Sequence, residues 1–158
     1  MRHDELEVLK EKDYAIYKQE VASAIEPKLH LLLAHLYIEH LLERYISTKL
    51  KTTNGLFGQN GLPFEKKVCL AQSFGGLNAQ RIDGIRKLND LRNDCVHKFK
   101  HQPTEKQIDD FGRTFGKWYG EIKIKYAQNQ DALIRACCNR LAGAVLRVVL
   151  EAENDVSR

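Results

Sequence analysis

Leu29 to Ile46, LHLLLAHLYIEHLLERYI, carries apolar side chains almost all the way round a helical wheel. A helix with no polar face to turn to water belongs in the middle of a bundle, so this stretch predicts an all-α fold built around it. Pro27 is suited to open the helix, because its missing N–H costs nothing in the first turn. Two polar residues one turn apart, His35 and Glu39, lie among Leu31, Leu32, Leu42 and Ile46. A carboxylate in that company needs a partner. His30, His35 and His40 are spaced by five and point to three faces, which is not the geometry of a metal cluster.

On the N-terminal side, residues 4 to 25 place Leu6, Leu9, Ile16, Val21 and Ile25 at helical spacings, with acid–base pairs on a solvated face. This amphipathic helix is expected to end near Pro27. On the C-terminal side, the Asn-, Gly- and Thr-rich run from Thr48 to Pro63 is a loop. Its Gly55, Gly58 and Gly61 do not make a phosphate loop, since no strand precedes them and no Gly-Lys-Ser/Thr follows. A short helix then runs from Pro63 to about Phe74 with Phe64, Val68, Cys69 and Ala71 inward, closed by Gly75 and Gly76. Asn78 is placed to cap the next helix.

That next helix contains Ile85 to Phe99, IRKLNDLRNDCVHKF. At 3.6 residues per turn, Ile85, Leu88, Leu91, Cys95 and Val96 share one arc, and Arg86, Asn89, Asp90, Asn93 and His97 the opposite one. Arg92 breaks the pattern, since it falls between Leu88 and Ile85 inside the apolar arc. A guanidinium there needs a carboxylate or phosphate, or must snorkel to an edge. Glu39 has the complementary problem, so the two are expected to meet. His97 lies roughly 140° round the helix from Arg92, so one helix does not by itself bring them together.

Pro103 breaks the chain, and Thr104 with Gln107 forms a capping box. The following helix is expected over 105 to 126, with Gly112, Gly116 and Gly120 recurring every four residues as a place for close helix approach. A last helix covers about 130 to 152, where Arg140 and Arg147 share a face, either as basic surface or in ion pairs. The whole is a single-domain helical bundle, residues 1 to 158, of about five to six helices and no strand.

The 158 residues suffice for one core, with 43% hydrophobic and 29% charged residues. A net charge of +4 permits nucleic-acid binding without arguing for it. Cys69, Cys95, Cys137 and Cys138 form no CxxC pair, so neither a zinc site nor a disulfide framework is indicated, and a reducing cytoplasm is the expected location. The N-terminus is charged from its second residue, unlike a signal peptide, and no segment reads as a membrane span. No cofactor is implied.

Arg92-Asn93-Asp94-Cys95-Val96-His97 resembles the R-N-x-x-x-H signature of the HEPN superfamily, all-helical domains of prokaryotic defence, toxin and RNA-processing systems. The ordered set Leu56-Phe57-Gly58, Gly61 to Phe64, Lys67, Gly75 to Leu77 and Ile85 to His97 is similar to the central half of mannitol operon repressor proteins, a related branch. The first resemblance implies a homodimeric, metal-independent endoribonuclease leaving cyclic-phosphate ends. In it, Arg92 binds the scissile phosphate, His97 transfers protons and Asn93 supports both; Glu39, matched to Arg92 above by its position among apolar residues, is the supporting residue that orients the guanidinium. Lys98, Lys100 and His101 then either line an RNA path or form an ordinary exposed loop. The second resemblance implies a non-catalytic transcriptional regulator or protein-interaction module. An antitoxin or a regulatory protein is the partner class these readings imply besides RNA.

Overall fold

A computed structural model describes residues 3–22, 26–97 and 102–156. They form seven α-helices: α1 (His3–Tyr17), α2 (Pro27–Lys49), α3 (Phe64–Ser73), α4 (Ala79–His97), α5 (Glu105–Gly112), α6 (Lys117–Lys125) and α7 (Gln130–Val156). A π-turn over Lys18–Ala22 follows α1, a 3-10 turn over Arg113–Phe115 follows α5, and no strand occurs among the described residues. The class is therefore all-α, with more helices than the five to six expected. The first helix, expected to run on to near Pro27, is α-helical only to Tyr17 and continues as the π-turn to Ala22, and residues 23–25 lie outside the described residues. No helix among them is long and apolar enough to cross a membrane.

The central position of α2 follows from its composition. Leu31, Ala34, Ile38, Leu41, Leu42, Tyr45 and Ile46 are buried. Its most extensive partner is α7, which buries Cys137, Leu141, Val145, Leu146 and Val149, and α3 and α4 cover another flank. Arg44 joins three helices, donating to Glu153 on α7 at 2.8 and 2.9 Å and to Asp13 on α1 at 3.1 Å. Tyr17 is fully buried and donates its hydroxyl to Asn139 Oδ1 at 2.9 Å, fixing α1 on α7.

Local signals set most helix starts. Glu26 precedes Pro27 in the first turn of α2, and Asn78 Oδ1 accepts from the Arg81 backbone N–H at 2.9 Å at the start of α4. Thr104 and Gln107 form the reciprocal capping box of α5. Gly75 and Gly76 close α3 with φ of 77° and 78°, a region costly for a residue bearing a Cβ.

Three sequence expectations are corrected. The helix expected over 105 to 126 is broken at Gly116, where φ is +61°. The glycine row thus has three different roles. Gly112 admits Tyr119 so closely that a Cβ there would lie 2.0 Å from its ring, Gly116 makes the turn, and a Cβ on Gly120 would meet nothing within 4 Å. In α3, Cys69 is exposed and Lys67 is buried in its place. In α4, Val96 is 52% exposed although the wheel puts it on the core arc. Val96 stands one residue before the end of the helix, and the buried face of α4 consists of Ile82, Gly84, Ile85, Leu88, Leu91 and Cys95.

Candidate functional site

The Arg-Asn-His segment occupies the last turns of α4, which lies antiparallel to the first half of α2. His35 Nε2 is 3.0 Å from Asn89 Oδ1, and Lys28 exerts its charge on Cys95 further along the pair. The end of α4 is tied to α5 by Gln107, whose Nε2 donates to Asp94 Oδ2 at 2.6 Å while its Oε1 serves the capping box. One glutamine thus both starts α5 and holds the middle of the motif.

Arg92 is half-buried on the flank of α4 that meets α2. Its Nη1 donates to Asn93 Oδ1 at 2.8 Å, and its Nε is buried without a hydrogen-bond partner. The expected pairing with Glu39 does not form. Glu39 accepts from Lys67 Nζ at 2.6 Å, and Lys67 bonds Glu43 at the same distance. The physical reason is reach and angle. Glu39 and Glu43 are one turn apart on the α2 side that meets α3, so one buried ammonium serves both. Burial by itself would lower the Lys67 pKa, but hydrogen bonds and charge from the two glutamates leave it raised. Arg92 therefore has no carboxylate partner among the described residues.

The Arg92 charge acts instead on His35. The imidazole is 4% exposed, lies tilted at 34° against the Phe64 ring with centroids 4.2 Å apart, and leaves Nδ1 buried without a partner. Burial, then the Arg92 charge, lowers its pKa, while Asn89 and Glu39 oppose this, so the ring is neutral near pH 7. The Arg92 charge thus acts on a neutral ring.

Asn93 is half-buried and His97 is exposed at the helix end. Five residues of helix separate Arg92 from His97 by about 7.5 Å along the axis and about 140° around it. The structure gathers Arg92, Asn93, His35 and Asn89, with Glu39 drawn off to Lys67. Lys98, Lys100 and His101 lie outside the described residues. His35, Asn89 and Lys67 are the neighbours that sequence reasoning missed. The one signal was the polar break at His35 in an otherwise apolar helix. Among the described residues, no three His, Cys, Asp or Glu side chains come together to hold a metal ion.

The two helices that carry the site also present exposed apolar side chains. Leu29 and Leu36, seven residues apart on one face of α2, are 44% and 48% exposed, and Val96 in the last turn of α4 is exposed as well. Leu32 and Leu33 between them are half-buried. Comparison with protein-family models, with curated proteins and with solved structures finds no match to this chain.

Proposed function

We propose that this chain is a HEPN-like RNA-binding protein that cleaves RNA without a metal ion, acting as a homodimer. The observation that carries the reading is Arg92: a half-buried guanidinium held by Asn93, acting on a neutral histidine, and paired with no carboxylate among the described residues. Such a cation suits a phosphate, which its planar fork contacts through two parallel hydrogen bonds.

The reaction follows from placing the scissile phosphate on Arg92. The RNA 2′-oxygen attacks phosphorus, its proton passes to one His97, and Arg92 stabilises the charge of the phosphorane. The bond from phosphorus to the 5′-oxygen then breaks, and a second His97 gives that oxygen its proton. The products are a 2′,3′-cyclic phosphate and a 5′-hydroxyl. Histidine suits both transfers because its ordinary pKa lies near neutrality. Two copies of the chain supply the two imidazoles. The exposed Leu29, Leu36 and Val96 support a dimer, since α2 and α4 thereby offer apolar surface for a second copy to cover.

The test is cleavage of an end-labelled RNA pool in EDTA by the wild type, Arg92→Ala and His97→Ala, with fold and oligomeric state checked by circular dichroism and sedimentation. The expected result is cyclic-phosphate ends from the wild type and a loss of at least 100-fold in each variant, the scale of a general acid or base. A folded, dimeric wild type that cuts none of the pool would refute the nuclease. The chain would then be read as a regulatory module with Arg92 in partner recognition.

A further inference from the structure

Well away from the Arg92 site, a groove of about 620 Å³ opens between α1, the start of α4, α6 and α7. Arg81 is about 16 Å along α4 from Arg92, and the intervening Ile85 and Leu88 are buried, so no surface path along that face joins the two. The groove is lined by four cations, Lys10, Arg81, Arg140 and Arg147, against one carboxylate, Glu11. Arg147 is already engaged by Glu151 at 2.9 Å. Arg81 and Arg140 are different: no carboxylate pairs with either among the described residues, and both also line an adjoining cavity of about 150 Å³.

Arg81 comes from α4 and Arg140 from α7, so two guanidiniums converge on one space without a counter-anion between them. Arg140 is held in place by Trp118, with its Cζ 5.4 Å from the ring centroid. Trp118 is set in turn by Phe115, edge-on at 5.6 Å. The half-buried rings of Trp118 and Tyr14, with Ala136 and Leu146, give the same groove apolar and aromatic surface. Two converging forks ask for an anion of more than one charge, such as a phosphate. The aromatic wall and a volume typical of ligand pockets ask for a planar group attached to it.

We infer that this groove is a nucleotide-binding site, which takes the phosphate between Arg81 and Arg140 and the base against the Trp118 and Tyr14 side. The shared chemistry is phosphate plus base. A free mononucleotide and one unit of a single strand both present it. The inference does not depend on cleavage at Arg92.

Trp118 is the chain's single tryptophan, so its fluorescence reports on this groove alone. The full chain is titrated with AMP, with hexadeoxythymidylate, which lacks the 2′-hydroxyl and is not cleaved, and with inorganic phosphate. The expected result is a saturable change with AMP or with the oligonucleotide, at least tenfold tighter than phosphate alone. Arg140→Gln, which lies on an exposed side chain, and Arg81→Gln are each expected to weaken it at least tenfold, with Arg140→Lys between. A stronger response to AMP assigns the free nucleotide, and a response to the oligonucleotide alone assigns the strand. His97→Ala leaves the titration unchanged, which separates this site from the proposed nuclease. No saturable change with either probe, phosphate binding as tight as AMP, or a response that survives folded Arg140→Gln overturns the inference.

Discussion

Replacing Lys67 by methionine tests how the site's polar interior is held. The Lys67 side chain is 5% exposed and its Nζ lies 2.6 Å from both Glu39 and Glu43, whose side chains are 25% and 27% exposed. Removing one partner of a fully buried ion pair costs about 3–5 kcal/mol, chiefly because the other charge is left stranded. Here the carboxylates retain access to water, so the cost falls to about 2 kcal/mol, with a few tenths more from two like charges one turn apart. Methionine keeps the volume of the stem, so the loss is electrostatic. For a chain of this size it corresponds to a fall in Tm of about 4–8 °C.

The assay is urea unfolding followed by circular dichroism at pH 7. In the wild type the Lys67 pKa is raised, so its contribution is complete at pH 7 and lost only as pH rises through that raised folded value. A triple variant with Glu39→Gln and Glu43→Gln recovers most of the loss. A Lys67→Met protein as stable as the wild type at pH 7, or a triple variant no more stable than Lys67→Met, would refute this account.

Two further outcomes separate packing from charge. Gly112→Ala forces a Cβ into the Tyr119 ring and is expected to cost about 1–3 kcal/mol, whereas Gly120→Ala, with open space and a helical backbone, is expected to stabilise by up to about 1 kcal/mol in the same urea assay. Buried His30 donates Nδ1–H to the Val21 carbonyl at 3.1 Å, and its pKa is pushed down to about 4 by burial and then by Arg135. The unfolded chain binds that proton first, so stability falls as pH drops from about 6.5 towards 4. Ring NMR that finds His30 titrating near 6.5 would contradict its placement.

Much of the fold was legible because helix formation is local. Pro27, Asn78, Thr104 with Gln107, and Gly75-Gly76 punctuate the chain through contacts within a few residues, and the all-apolar wheel of Leu29 to Ile46 marked the central helix. The helix expected over 105 to 126 failed for a local reason that composition hides. Three glycines at equal spacing look alike, yet one takes positive φ and another takes a tyrosine ring.

At the site, the sequence alone determined that Arg92 sits where a charge does not belong, and that Arg92 and His97 diverge on one helix. It did not determine who answers Arg92. Glu39 was the plausible partner by character, but an ion pair forms only where helix register brings two long side chains to one point. The register of α2 against α3 gave Glu39 to Lys67. The antiparallel register of α2 against α4 then set His35 on Asn89 and left the guanidinium without a carboxylate among the described residues. Residues 54 apart in the chain meet there because several helices share one core, and the packing that decides it has no signature in local spacing.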